Sequence, residues 1–364
     1  MSIIKVNKIE STATTNGGVE IDSTGHVQID GVQMPTIGPL SNRNLLINGD
    51  MRVAQRGTAA VTVSGSFPVD RWTHGKVNSG VVTAQQVTDA PVGFKKAVQV
   101  TITTADATVD AGDAIDFQQW IEANNVGHLE WGTANAKNVT LSFWVKASVA
   151  GTYCNVILGH DGTNVAHSYV SEYTISAQEA GNWVKKVINV PGPTSGTFAT
   201  NTNNQGIAVR FSLSSGTNFH QAANSWGTGN VEGTSNQINL QTTQGATWAI
   251  TGLQLEVGDV ATPFEHRNIV DELARCQRYF CGPFSVTQGA PGYSANARAA
   301  GGHIAFPVTM RADNPLVSLT NVSISNGNTL SAVNKLKNGF FAQFICQADN
   351  SVTCTFTYTA QSEF

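Results

Sequence analysis

WAITGLQLEV, residues 248–257, alternates bulky apolar side chains with small or polar ones, and LSFWVKAS, residues 141–148, does the same. A period near two marks a strand with one face buried and the other turned to water, the pattern of antiparallel sheets. Outward from these two segments the pattern recurs at 45–47, 80–87, 96–103, 139–146, 153–158, 168–175, 183–190, 207–213 and 246–256. The polar stretches 104–115, 192–205 and 214–237 read as long loops. Many strands at short intervals, with no helices between them, predict an all-β fold whose centre is a jelly-roll β-sandwich.

Composition agrees with a β-protein that carries little charge. Charged residues make up 13% of the 364 residues, against about 25% in an ordinary soluble chain. Thr, Asn, Ser, Gln and 35 glycines must therefore cover much of the surface. With 41% hydrophobic residues and 7 tryptophans the chain is rich enough to bury a large core, so it does not read as disordered. A net charge of -4 and the lack of any basic cluster exclude nucleic acid as the expected partner. No stretch reaches the roughly 20 apolar residues that a membrane span needs, and MSIIKVNKIEST lacks the apolar core of a signal peptide. Synthesis in a reducing cytoplasm is expected. The 5 cysteines (Cys154, Cys276, Cys281, Cys346, Cys354) are scattered without zinc-ligand spacing and read as small buried hydrophobes.

The length suits more than one domain. In residues 1–41, Ile3, Ile4, Val6 and Ile9 begin an apolar strand, and Val19, Ile21 and Asp22 recur as Val27, Ile29 and Asp30. This puts aliphatic residues on one face of a short sheet and acids on the other, a face too small to bury itself. Pro35, Gly38 and Pro39 read as a linker to a central domain over 42–266. A helix follows within 267–281, with Asn268 as its cap, acids in its first turn, arginines near its end, and Ile269, Leu273, Cys276 and Phe280 as an apolar stripe. Residues 282–364 form a second, small β-domain. Its Phe340, Phe341, Phe344 and Phe356 give it more aromatic surface than so small a unit is expected to hide, which points to self-association.

Three blocks occur in order: NRNLLINGDMRVAQRGT with FPVDRW (42–72), GTANAKNVTLSFWVKASVAGTYC (132–154) and WAITGLQLEVGDVATPFEHRNIVDELARCQRYF (248–280). Together they resemble a family of bacteriophage tail-fibre and virion-appendage proteins, over roughly 42–281. The resemblance implies a carbohydrate-binding-module-like jelly roll and a non-enzymatic virion component, made in the host cytoplasm, that adheres to a host cell-surface glycan. It also implies a homo-oligomer, a trimer in fibres, joined to another tail protein through residues 1–41, with no membrane insertion. The alternatives are a tailspike-like glycan-degrading enzyme and a purely structural adaptor or decoration protein.

For catalysis, no Gly-x-Ser-x-Gly elbow, His-Glu-x-x-His or phosphate-binding loop is present. The acids Asp106, Asp110, Asp113 and Asp116 cluster in a segment read as a solvated loop. No cofactor is required. Modules of the resembled type often carry a structural calcium joining first and last strands, which would fall on Asp50 and Glu256 with backbone carbonyls. Met51-Arg52 stands where Phe-Glu is usual, removing one expected ligand. Sugar rings stack on exposed aromatic faces. Trp72, Trp144, Trp183 and Trp248 read as core, whereas Trp226, in the glycine-rich loop NSWGTGNVEG, reads as the ligand contact. Trp120 and Trp131, flanked by Gln, Glu and His, are further candidates, with His160, Asp161 and His167 as polar helpers.

Overall fold

The structure is a computed structural model and describes residues 8–10, 18–23, 25–35, 41–77, 80–163, 166–290, 298–346 and 351–364. The strand start at Ile3–Val6, the Gly38-Pro39 linker, the turn at 348–350 and the Cys346 side chain lie outside the described residues. The chain divides into two compact units. One comprises Met1–Met51, Ala60–Ser66 and Trp72–His266; the other comprises Arg52–Ala59, Phe67–Arg71 and Arg267–Phe364. The divisions at 42, 267 and 282 read from sequence thus differ from those of the structure: the helix belongs to the second unit, together with two short stretches that precede Trp72.

Within the first unit, β1 (Lys8–Glu10), β2 (Gly18–Ile21), β3 (Val27–Ile29) and β4 (Val32–Gln33) form an antiparallel sheet in sequence order. Asp22 Oδ1 accepts from His26 N at 2.9 Å in the β2–β3 turn, and Gly25 takes φ 89°, a conformation that favours glycine. Register sets Ile9, Val19 and Ile29 in one row and Ile21 opposite Val27, as the internal repeat requires. All five remain exposed, from 39% to 63%.

β5 (Ser66–Val69) straddles the division between the units. The sandwich of the first unit contains β6 (Trp72–Val77), β7 (Val81–Val87), β8 (Ala97–Thr104), β9 (Ala114–Glu122), β10 (Val139–Ala147), β11 (Gly151–His160) and β12 (Ala166–Ile175). It is completed by β13 (Val184–Val190), β14 (Gln205–Ser215), β15 (Trp226–Thr228) and β16 (Thr247–Val257). The smaller sheet has the order β13-β10-β16-β8-β7, and the larger runs β15-β12-β11-β14-β9-β6 in this unit. Every pairing in both is antiparallel. β6, β9 and β15 are strands that the sequence reading left out: polar side chains on both edges of β9 mask its alternation.

Aromatic rings join the two layers. Trp248 and Phe143 come from the smaller sheet; Phe117, Phe211 and Tyr173 come from the larger. Phe117 lies 5.9 Å from Trp248 and stacks on Trp72 at 5.1 Å, while Phe143 meets Phe211 at 4.9 Å and Tyr173 at 5.2 Å. The Trp248 indole N–H donates to the Tyr173 hydroxyl at 3.1 Å, so the one polar atom of each large ring is satisfied. Trp144 and Trp183 are corrections. They are only half-buried, because in LSFWVKAS the inward set is Leu141, Phe143, Val145 and Ala147, all buried, and Trp144 alternates to the other face.

Segments 45–49 and 253–255, from the first and third sequence blocks, lie side by side. Leu45 N donates to Leu255 O and Leu253 N to Gly49 O, both at 2.9 Å. Residues 45–47 are nonetheless not a regular strand, because the Gln119 side chain takes the place of a partner on their other edge: it accepts from Ile47 N at 2.8 Å and donates to Ile47 O at 2.7 Å. Buried Asn44 ties the seam, donating to Leu253 O at 2.9 Å and accepting from Leu46 N at 3.0 Å and Leu255 N at 3.1 Å. Asn44→Ala leaves these backbone groups without their side-chain partner and is expected to cost about 2–3 kcal/mol, measured by urea unfolding of the intact protein.

In the second unit, α1 (Ile269–Gln277) is capped by Asn268, whose Oδ1 accepts from Val270 N at 2.9 Å. Its buried face is Glu272 and Cys276, continued by Tyr279; Ile269 is 46% exposed and Leu273 half-buried, so the expected stripe is rotated. An ion pair of Glu272 with Arg267 at 3.5 Å lets the carboxylate lie inward. Beyond it come β17 (Phe280–Ala290), β18 (Arg298–Ala305), β19 (Leu316–Ser325), β20 (Gly327–Leu336), β21 (Gly339–Cys346) and β22 (Val352–Gln361). They form two three-stranded sheets, β17-β22-β19 and β18-β21-β20. Phe340, Phe344 and Phe356 are fully buried in this unit and only Phe341 is exposed, at 37%. The aromatic surplus expected of this domain is therefore absorbed by its own core. Arg56 explains why the early stretches belong here: it sits 3.6 Å from Asp70 and 3.3 Å from Glu363, over the rings of Phe67 and Phe280. Cys154, Cys276, Cys281 and Cys354 are free and buried, and burial pushes the Cys281 thiol up to about 12.

Candidate ligand-binding site

Register decides which side chains face which way on the larger sheet. Row by row, Ile157, Val209 and Gln119 share a face with Tyr169 and Trp226, the side toward the smaller sheet. β15 is the edge strand, so Trp226 stands at the open rim of the sandwich rather than in an isolated loop. Its indole N–H donates to Pro191 O at 2.7 Å, pinning the loop that leaves β13. Behind it, Trp131 packs at 5.2 Å and Tyr169 at 5.4 Å. Phe198 closes the group, 5.8 Å from Trp131 and 6.1 Å from Trp226, with His167 tilted against it at 4.9 Å.

The result is a cleft of about 430 Å³, within the size range of small-ligand sites. Trp226, Phe198 and His167 supply flat faces, Pro191–Gly196 supplies backbone and the hydroxyls of Thr194 and Ser195, and Gly227 and Thr228 complete the wall. No Asp, Glu, Lys or Arg lines it. Such a surface offers stacking and neutral hydrogen bonds, and it offers neither a carboxylate for acid–base chemistry nor a cation for a phosphate.

Of the three tryptophans named from sequence, the structure brings two together. Trp226 lines the cleft; Trp131, 5% exposed, is its support, with its N–H donated to Lys137 O at 2.8 Å. Trp120 lies on the opposite face of β9, edge-on to His160 at 6.1 Å, and does not line the cleft. His160 and Asp161 stay with Trp120, whereas His167 joins Trp226. Phe198 was not singled out by sequence reading, although its signal was the one that marked Trp226: a lone aromatic in a polar, glycine-rich stretch.

Of the expected calcium pair Asp50 and Glu256, the second is held by partners within this chain. The Glu256 carboxylate is already engaged by this chain's own donors: Oε1 accepts from Thr262 N at 2.8 Å and Gln254 Nε2 at 2.9 Å, and Oε2 from Thr262 Oγ1 at 2.7 Å. Arg43 Nε stands 3.8 Å away and supplies the positive charge. Among the described residues no group of three or more His, Cys, Asp or Glu is placed to hold a metal ion.

The acidic cluster divides: Asp106 and Asp110 lie in the loop before β9, half-exposed and exposed, whereas Asp113 and Asp116 are buried. Asp113 is buried, accepting from Asp110 N and Gln241 Nε2, each at 3.0 Å. Asp116 lies in β9 on the face away from the sandwich interior, where Arg210 of β14 donates to Glu232 Oε1 at 2.6 Å, Asn230 Oδ1 at 2.7 Å and Gln118 Oε1 at 3.0 Å. Burial raises both carboxyls, Glu232 to about 8. This acid pair is roofed by residues 230–237 and is remote from the cleft walls in register.

No family model matches the chain, and no curated protein matches it. Among solved structures, a bacteriophage CBA120 tailspike protein 4 enzymatically active domain is similar at 16% identity and a TM-score of 0.32, over 59% of this chain and 21% of that one. A putative sugar-binding protein from Bacteroides thetaiotaomicron is similar at 13% identity and 0.33, over 59% and 100%. A family 11 carbohydrate-binding module from Clostridium thermocellum is similar at 13% and 0.28, over 58% and 99%. The chain thus spans about a fifth of the tailspike domain. Among the described residues, no helix is long and apolar enough to cross a membrane.

Proposed function

We propose that this chain is a non-enzymatic adhesion component of a phage virion, a tail fibre or appendage, that holds a neutral host-surface glycan in the Trp226 cleft. The observation that carries the binding reading is the wall of that cleft: three aromatic or imidazole faces, three hydroxyl residues, exposed backbone and no Asp, Glu, Lys or Arg. Pyranose rings present apolar C–H faces and many hydroxyls, which match stacking and neutral hydrogen bonding. The burial of Asp116 and Glu232 beneath the chain supports adhesion over hydrolysis. The virion role follows from the sequence resemblance, with residues 1–41 as the attachment segment and a homotrimer as the working form.

Incubation of the intact protein with purified host-surface polysaccharides tests this reading. Saturable co-sedimentation without new reducing ends is expected. Release of reducing ends would make it a glycan-degrading enzyme, and lack of adsorption to every host polysaccharide would leave a structural adaptor. A solution mass equal to that of a trimer is expected, and removal of residues 1–41 should leave a folded protein that no longer joins the particle.

A further inference from the structure

The segment 216–237 leaves β14, forms edge strand β15, and returns across the outer face of the larger sheet. Ser168 Oγ donates to Gly229 O at 2.5 Å, Val231 packs against the buried cluster that includes Val156 and Val170, and Gln237 Nε2 donates to Ser212 Oγ at 2.9 Å. Beneath this strap lies an unequal set of charges. Arg210 is one buried cation, bonded to Glu232 of the strap at 2.6 Å and near enough to Asp116 of β9 for its charge to act on that carboxyl; the two acids are 5% and 9% exposed. Asp116 Oδ1 and Glu232 Oε2 are buried with no hydrogen-bond partner. The other elements do not restore the balance. β6 presents Gly75 opposite Asp116, β11 presents Cys154 and Val156, and β12 presents Glu172, which is committed to Thr234 and Asn236. His220 of the strap is turned to Ser215 O at 3.1 Å.

We propose that the strap is a proton-held latch: Asp116 and Glu232 keep one proton between them while Arg210 is clamped, and loss of that proton releases the strap. Two buried carboxylates against one guanidinium would leave a net negative charge without solvent, whereas protonating one of them leaves the buried set neutral. The raised position of both carboxyls agrees with this geometry. The closed strap binds a proton that the open one gives up. Closure is therefore full below the ordinary carboxyl range, weakens as pH rises, and is weakest above about 8. Trp226 is part of the same segment, so release also unseats one wall of the cleft. The latch holds whatever ligand the cleft takes.

Cys154 is a built-in reporter, because its Sγ lies under the strap, 3.7 Å from Thr234 Oγ1. Alkylation of native full-length protein by N-ethylmaleimide, with Cys154 followed by mass spectrometry, is compared with Asp116→Asn and with Glu232→Gln. Each variant leaves one carboxylate for one guanidinium and needs no proton; either suffices if the other fails to fold. Dividing the wild-type rate by a variant's rate at each pH removes the thiol's own ionisation. The ratio is expected to rise at least about tenfold between pH 6 and pH 8. A ratio that stays constant, or a Cys154 that remains equally protected at both pH values in the wild type, overturns the proposal.

Discussion

Trp226→Ala is expected to reduce adsorption to host polysaccharide by at least about a hundredfold while lowering stability by only about 1–2 kcal/mol. The substitution removes the largest flat face of the cleft and also the N–H that fixes Pro191 O at 2.7 Å, so the opposite wall loses its anchor. Central aromatic contacts dominate binding energy in this way, with losses of about 2 kcal/mol or more on truncation. The stability loss stays small because Trp226 is half-buried at a sheet edge, and Trp131 retains its own bond to Lys137 O. Phe198→Ala should weaken binding in the same direction but less. Adsorption isotherms and thermal melts of the same preparations separate the two effects. A Trp226→Ala protein that melts as early as a core variant, or adsorbs as well as wild type, would remove the cleft from the binding reading.

Trp248→Ala is expected to cost about 3–5 kcal/mol. Its ring lies between Phe117 at 5.9 Å and Phe211 at 5.5 Å, and its loss leaves the Tyr173 hydroxyl without its donor. Trp144→Ala, one layer out, should cost well under half as much. The Trp144 ring is half-buried and the inward position beside it is filled by Phe143. Denaturant unfolding of both variants provides the comparison; equal losses would mean that the two faces of β10 have been exchanged.

Alternation in LSFWVKAS and WAITGLQLEV already specified the all-β class, but Trp144, read as core, proved to lie on the face opposite Phe143. Asn268 before an acidic first turn marked the helix start, and the internal repeat marked the aliphatic face that β2 and β3 present. These are local properties: a period or a cap is settled by neighbours within a few residues. The cover over each face was not legible, because it depends on chain that returns from far away. Asp116 looks solvated in sequence and is buried because Glu232 and the strap lie over it. Trp131, Phe198 and Trp226 are scattered along the chain and meet only because the β15 edge faces the loop after β13. The aromatic surplus of 282–364 vanishes once two small sheets close on it, and Arg56, in a turn ahead of β5, belongs to the C-terminal unit. Sequence alone determined the all-β class and, in the strongly patterned strands, the alternation of side chains, since that period is fixed by backbone geometry. Only the tertiary structure decided which faces are closed to water and which rings meet, since burial depends on what distant segment packs above.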